Sequence, residues 1–325
     1  MTNLIKMAGR ALYVLLTAAA VATADMRAPL PGTVNDIEGQ ATIDGEDLSA
    51  SSAGQAVVDA NRVLDTGRGK VELLLTPGAF LRVGDGSELR MVSPNAPKVA
   101  FELVKGGAIL EIDQLSKGVT FSLPMDGATA NIAQPGLYLL AADQGSVGVL
   151  AGETAVYQGA AHLTLKKGHG VFLLAGQRLK SQDLDMYAIQ NEPLYLWSRL
   201  RGAYMAQANV QADQAILAAG GTDDAAWFWD ASFDCYAFLP LSGIEYSPFG
   251  WGFSAPGVVG KAPNPIHYPI PIRKPKPKPL SAAGRVSSAR TARSGGGSDN
   301  GHTGGGSHFS GGGGHTGGGG GGGRR

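Results

Sequence analysis

The side chains that could perform chemistry are few and scattered in this 325-residue sequence. The single cysteine, Cys235, lies in an aromatic-rich stretch with no histidine near it, and a buried, inert thiol is the favoured interpretation. His162 and His169 are predicted at opposite ends of one hairpin, with nothing in the sequence to orient either ring. Neither a Gly-x-Ser-x-Gly nor a His-Glu-x-x-His motif is present. The sequence therefore predicts no catalytic residue, no cofactor and no enzymatic activity.

Metal binding is also not predicted. His302, His308 and His315 punctuate a glycine-rich end of the chain, but their spacing is loose and no cysteine or carboxylate converges on them. The clustered acids have simpler roles in turns and at helix starts. Asp183 and Asp185, for example, can cap the exposed N–H groups of a helix.

Aromatic side chains are concentrated between residues 225 and 253, where the sequence holds ten of them. Such a set either covers a groove of a neighbouring domain or forms an exposed surface that stacks on a ligand such as a sugar ring. Covering is the more frequent role, and it is favoured here. If the surface is exposed, the candidate binding residues are Trp227, Trp229, Tyr246 and Trp251.

Residues 37–180 carry the pattern of an all-β domain. Short runs with period-two alternation are separated by glycine and proline turns, and no long helical period interrupts them. The pattern predicts an antiparallel sandwich or roll of about a dozen short strands. The predicted strands are 41–43, 71–75, 79–83, 99–104, 108–112, 119–123, 128–132, 136–141, 147–150, 154–157, 162–165 and 170–174.

A helical segment is predicted over residues 181–218, with Pro193 as the first residue of its main helix. One face presents apolar residues at steps of three and four, and Arg199 and Arg201 lie off that face. The face is predicted to pack on the β domain, in preference to binding a partner. Its residues are Leu194, Trp197, Leu200, Tyr204 and Ala208.

Both ends of the chain differ from this body. Residues 1–24 combine Lys6 and Arg10, a short apolar stretch and the Ala22-Thr-Ala24 cleavage pattern of a signal peptide, with an uncleaved anchor as the alternative. The apolar stretch is shorter than the roughly 20 residues of a membrane-spanning helix. We expect a linker over 25–36 and export to the periplasm or the exterior.

Residues 257–325 are rich in proline and glycine and are predicted to be disordered. This tail holds ten Lys/Arg and one acid, a net charge of +9, whereas residues 25–256 hold 15 Lys/Arg and 26 acids, a net charge of −11. A basic tail favours anionic partners such as an envelope polysaccharide or lipid, or it folds back on the acidic body. Specific nucleic-acid binding is not predicted.

The β domain resembles the FecR domain of bacterial envelope proteins. The resemblance rests on the order of five pieces: Ile37-Glu-Gly39, Ala41-Thr-Ile-Asp-Gly45, Leu64-Asp-Thr-Gly67 leading to Val71–Leu75, Gly78-Ala-Phe-Leu-Arg82 and Gly106–Asp113. Two later segments, Trp197–Arg201 with Ala206–Asn209, and Tyr246–Phe253, look like those that accompany this domain in secreted proteins of acidobacterial type. The resemblance brings no catalytic residues with it.

The name-giving members of that family are inner-membrane regulators that pass a signal from an outer-membrane transporter to a sigma factor. That role needs a cytoplasmic segment and a membrane span before the β domain, and only ten residues precede the apolar stretch here. We therefore expect a non-enzymatic, exported binding or scaffold protein of the envelope. A membrane-docked signal sensor is the first alternative, and a cell-wall hydrolase with dispersed catalytic residues is the second.

Overall fold

The computed structural model describes residues 29–125, 127–173, 178–218 and 225–258. The signal-peptide and tail predictions therefore fall outside the described residues, apart from Gly257 and Val258. The strands are β1 (Thr33–Ile43), β2 (Glu46–Asp47), β3 (Val63–Leu74), β4 (Ala79–Val83), β5 (Ser87–Ser93), β6 (Lys98–Lys105), β7 (Gly107–Ile112), β8 (Thr120–Met125), β9 (Ala128–Ile132), β10 (Gly136–Ala141), β11 (Ser146–Ala151), β12 (Glu153–Gln158), β13 (Ala161–Lys166), β14 (His169–Phe172), β15 (Ser181–Asp183), β16 (Ala226–Asp230), β17 (Cys235–Leu239), β18 (Ile244–Tyr246) and β19 (Gly252–Ser254). The helices are α1 (Met186–Gln190) and α2 (Pro193–Ala218), and short 3-10 turns occupy Ala50–Ser52 and Ala142–Gln144.

Fifteen strands form one sheet, which confirms the prediction of an all-β core. Its order is β13-β12-β9-β8-β6-β5-β3-β4-β7-β10-β11-β14-β15, and β1 pairs with β2 and along β3. Neighbours are antiparallel except β6 and β8, which run parallel through Lys98–Ala100 and Thr120–Ser122. The expectation of a purely antiparallel sheet is corrected at this pair, where β7 intervenes in sequence and pairs elsewhere.

The sheet folds over its own core and is nearly closed. The first part of β3 pairs with β5 and its second part pairs with β4, so this one strand belongs to both halves of the sheet. At the second corner of the sheet, β11 leads into β12 through Gly152, and β13 leads into β14 through Gly168. The φ angles of these two residues, 82° and 85°, favour glycine. We call β13, β12, β9, β8, β6 and β5 the front half, and β4, β7, β10, β11, β14 and β15 the back half.

One hydrophobic cluster fills the space between the halves. Alternate side chains of almost every strand point into it, as period-two geometry requires. Phe101 and Phe121 from the front half and Leu81 and Leu110 from the back half are fully buried there. Most of the stability therefore comes from apolar burial, at about 25 cal/mol per Å² of apolar surface.

The outer face of the back half is buried too, under residues 184–218 and 225–258. The first part of this cover is α1 and the start of α2, which pack on Ile109, Leu137 and Leu150. The second part is the rest of α2 with the β16–β17 and β18–β19 hairpins, which pack on Leu74 and Phe80. The aromatic-rich segment thus lies over the sheet, and we refer to residues 184–218 and 225–258 as the cover.

The bounds of the predicted β domain and of the predicted helical segment each differ from the observed ones. The β domain begins at Thr33 rather than at residue 37, because β1 pairs with β3 over the whole length of both strands. Ser181–Asp183 form β15 beside β14 rather than the start of a helical segment. The main helix begins at Pro193, and Asp185 caps α1 by accepting a hydrogen bond from the Ala188 N–H at 3.0 Å.

Candidate functional site

Two of the four candidate aromatic residues lie inside the protein. Trp227 is 4% exposed and packs edge-on against Phe80 and Phe238, with ring centroids 5.2 and 6.0 Å away. Trp251 is 5% exposed, and its Nε1–H donates to the Arg199 carbonyl at 3.0 Å. Enclosed rings cannot stack on a ligand, so a binding role is corrected for these two residues. Their burial agrees with the favoured covering interpretation.

Trp229 and Tyr246 lie nearer the surface but do not form one patch with the buried pair. Trp229 is half-buried, meets the Tyr236 ring edge-on at 5.1 Å and lies against Gly54. Tyr246 is exposed, at the end of β18. Of the proposed surface, therefore, only these two rings remain accessible.

A buried network of charged side chains joins the cover to the sheet. Glu72, Arg82 and Glu111 stand on adjacent strands β3, β4 and β7, and they point outward into the interface with the cover. Arg82 donates to Glu72 at 2.8 Å and also to Glu111, and its guanidinium lies 5.3 Å from the Phe80 ring centre. From α2, Arg201 donates to Glu72 at 2.8 Å and lies 3.5 Å from the Asp36 carboxylate. The network pairs two arginines with three carboxylates.

These charges perturb one another strongly because water is excluded. Burial acts to raise the pKa of Glu72, but Arg201 and Arg82 outweigh it and lower the pKa to about 2. Burial raises the pKa of Asp36, which Arg201 only partly opposes. Removing one member would leave its partners charged and unpaired in the interior, which is far more costly than losing a surface ion pair.

Asp113 extends this network as a carboxyl group without a hydrogen-bond donor among the described residues. It follows β7 by one residue and is 4% exposed. Burial and the neighbouring Glu111 raise its pKa well above the usual range. The shift favours the protonated form of Asp113, in which the O–H can point toward the second oxygen of Glu111, an atom that also lacks a donor within the described ranges.

Two buried asparagines tie the cover down through main-chain groups. Asn35 of β1 accepts from the Tyr236 N–H at 2.7 Å and donates to the Tyr236 carbonyl at 3.3 Å. Asn209 of α2 does the same with Ser254, at 2.8 and 3.0 Å. A carboxamide offers the donor and acceptor of a peptide group, so each side chain replaces a neighbouring strand.

Sequence reasoning placed Arg201 off the packing face of α2, and the structure corrects this. The buried stripe of α2 contains Trp197, Arg201, Met205 and Ala208, whereas Leu200 and Tyr204 are half-buried. In the middle of α2 the buried stripe is thus displaced by one residue from the predicted one: Arg201 takes the place of Leu200, and Met205 takes the place of Tyr204. An outward-pointing Glu72 in an otherwise apolar β3 run is the sequence signal that could have indicated a buried partner.

Three side chains that could perform chemistry lie in different environments: Cys235 in the cover, and His162 and His169 in the β domain. Cys235 is 1% exposed, and burial raises the pKa of its thiol to about 12, in agreement with the prediction of an inert side chain. His162 is exposed and stacks on Tyr157 with ring centres 6.1 Å apart. His169 is oriented after all, by Asp183 at 3.1 Å.

The outer face of the front half has no cover among the described residues. Apart from the small, buried Ala100 and Ser122, its outward side chains are exposed or half-buried, and they include Arg90, Glu102, Thr129, Asn131 and Tyr157. Beyond Tyr157 the sheet ends at β13, whose pattern of exposure follows its alternation: His162, Thr164 and Lys166 are exposed, whereas Leu165 is buried. This open face and the β13 edge are the accessible candidate binding surface.

Nowhere in the described ranges do three or more His, Cys, Asp or Glu residues come together as metal ligands would. No helix in the described part of the chain combines the length and apolar character needed to cross a membrane.

Comparison with known proteins shows a weak structural likeness and no match to a family model. No family model and no curated protein matches the chain. Two crystal structures of a putative anti-sigma factor from Parabacteroides distasonis ATCC 8503, at 2.50 and 1.65 Å resolution, align with 14% and 13% identity and TM-scores of 0.34 and 0.35. Each alignment covers 39% of this chain and 61% or 62% of the other, so the chain spans about three-fifths of the length of those structures. A likeness this weak carries no information about activity or partners.

Proposed function

We propose that the chain is an exported, non-enzymatic envelope protein whose β domain is a FecR-type binding or scaffold module. The observation that carries the proposal is the asymmetry of the two sheet faces. The back half is closed by the protein's own cover, through Arg201, Asn35 and the aromatic cluster, whereas no described residue covers the outer face of the front half. A domain built in this way offers a partner one rigid, permanently exposed face.

The basic tail is the second part of the proposal. Residues 257–325 carry a net charge of +9 on a chain whose residues 25–256 carry −11. Each Lys or Arg near an anionic surface contributes about 1 kcal/mol to binding, and salt weakens this attraction. The tail therefore gives reversible attachment to anionic envelope material, while the β domain provides the protein contact.

Binding to anionic and neutral surfaces tests the tail. Full-length protein, and a variant with Lys274, Lys276 and Lys278 replaced by glutamine, are sedimented with phosphatidylglycerol or phosphatidylcholine vesicles at low and high salt. We expect the full-length protein to bind phosphatidylglycerol at low salt only, and the variant to bind it less. Equal binding of both proteins to both vesicles would contradict a role for the tail charge.

Export is tested on the mature protein. Fractionation of the producing bacterium followed by N-terminal sequencing should find the protein outside the cytoplasm, beginning at Asp25. An integral, uncleaved product would overturn cleavage and favour the sensor alternative instead.

A further inference from the structure

The free edge of β13 has backbone groups ready to pair with another strand. β12 and β13 are joined by the two-residue loop Gly159-Ala160, with Gln158 opposite Ala161. In such a turn the residues that flank the loop bond to each other, and hydrogen-bonded pairs then alternate along an antiparallel ladder. Val156 and Leu163 therefore bond to each other, and so do Thr154 and Leu165.

The residues between these pairs direct their N–H and C=O groups away from β12. They are His162, Thr164 and Lys166, and none of their backbone groups has a backbone partner among the described residues. The edge strand contains no proline or bulge. The feature of β13 that disfavours pairing with other chains is the positive charge of Lys166 and Lys167.

The charge of Lys166 indicates which class of strand would pair with the β13 edge. Lys166 forms no ion pair within the described part of the chain, because Glu153 across the ladder is instead hydrogen-bonded by Gln134 at 2.8 Å. Asp183, on the edge strand β15, is bound to His169 at 3.1 Å. An acidic residue opposite Lys166 would therefore supply a missing cross-strand partner.

Self-association fits the same edge less well. An antiparallel second copy centred on Thr164 would place His162 opposite Lys166, with no acid at either end. A pairing of about five residues also buries far less than the roughly 1,200 Å² of a stable interface.

We propose that the edge of β13 binds an extended, acidic segment of a protein partner as an added antiparallel strand. This inference rests on the proposed binding function and names its site. The partner strand would place an acid opposite Lys166, apolar residues opposite Leu165 and Leu163, and a small polar residue opposite Thr164. Backbone pairing supplies the affinity, and the alternate side chains supply the selectivity.

The test uses full-length protein and a capped synthetic peptide of sequence Glu-Val-Thr-Val-Thr, with Lys-Val-Thr-Val-Thr as its control. Peptide binding is followed by NMR through the amide shifts of His162, Thr164 and Lys166. We expect the acidic peptide to bind about threefold more tightly than the basic one, from one cross-strand charge pair. Binding that leaves these three amides unshifted would overturn the proposal.

Three variants test the proposal on folded protein. Thr164→Pro removes an edge N–H that faces solvent, and Thr164→Ala is its matched control with the N–H retained. We expect a loss of binding of about tenfold or more for the first and little change for the second. Lys166→Glu should reverse the preference between the two peptides. Undiminished binding by a folded Thr164→Pro protein would contradict strand addition.

The same variants separate this proposal from the proposed function. If Thr164→Pro still captures the envelope protein that wild type captures, the edge proposal fails and the binding function stands. If wild type binds the peptide but captures no envelope material, the binding function fails and the edge stands. A dimer found by sedimentation that Thr164→Pro abolishes would overturn the choice of partner, because a second copy would then occupy the edge.

Discussion

Arg201 of α2 and Glu72 of β3 meet at 2.8 Å inside the protein, although 129 residues separate them in the chain. Glu72 has no exposure, and Arg201 has 8% of its side chain exposed. This pair joins the cover to β3 of the sheet.

Replacing Arg201 with methionine should destabilise the protein by about 3 to 5 kcal/mol, because Glu72 and Asp36 would lose a buried counter-charge. The measurement is urea unfolding at neutral pH. Gln207→Ala, on an exposed position of the same helix, is the matched control and should change stability by less than about 0.5 kcal/mol. Equal stability of Arg201→Met and wild type would mean that the buried pair does not stabilise the folded protein.

Glu72 should make the protein sensitive to acid. Its pKa is about 2 in the folded protein, against an ordinary 4.5. The stabilisation is therefore complete above 4.5 and is lost as the pH falls toward 2, and it amounts to about 3 kcal/mol. Glu72→Gln mimics the protonated side chain at every pH. The stability of wild type should thus exceed that of the variant near neutral pH and converge with it near pH 2, whereas a constant difference would argue against the shifted pKa.

Much of this architecture could be predicted from the sequence. The strand bounds 79–83, 128–132 and 136–141 agree with β4, β9 and β10, because each run is bounded by glycine or proline turns. β5 was not predicted, since only Leu89 and Met91 in it point into the core. Its other positions include Glu88 and Arg90, which obscure the strand pattern.

The candidate site was harder to predict because its key contacts are long-range. An arginine on an amphipathic helix normally faces solvent, and the carboxylates of Glu72 and Asp36, both on distant strands, make burial of Arg201 favourable. The tryptophans illustrate the same limit. Composition distinguishes neither Trp227, buried against Phe80, nor Trp251, buried and bonded to the Arg199 carbonyl, from the more accessible Trp229.

Asp113 should act on stability in the opposite direction to Glu72. Its pKa is raised in the folded protein, so the unfolded chain releases this proton at a lower pH than the folded chain does. Stability contributed by Asp113 therefore falls as the pH rises from its ordinary pKa of 3.8 toward the raised value. Asp113→Asn, which cannot ionise, should be at least as stable as wild type at pH 8 and should lose this part of the pH dependence.

Urea unfolding between pH 4 and pH 8 measures this effect. Asp47→Asn, in the exposed β1–β2 hairpin, is the matched control, and its pH dependence should follow that of wild type. A wild-type slope that persists unchanged in Asp113→Asn would show that Asp113 does not carry the proton.

Chemical labelling of Cys235 measures how often the cover opens. This residue lies in β17 with 1% exposure, and burial raises the pKa of its thiol to about 12. A thiol reagent that needs the thiolate should therefore label native protein very slowly and unfolded protein at once. Arg201→Met weakens the attachment of the cover, so labelling should accelerate in proportion to the population of the open form, by about tenfold for each 1.4 kcal/mol of lost local stability. Gln207→Ala should label as slowly as wild type. If Arg201→Met lowers global stability in urea but leaves the native labelling rate unchanged, the cover does not open by itself, and α2, the β16–β17 hairpin and the sheet unfold as one unit.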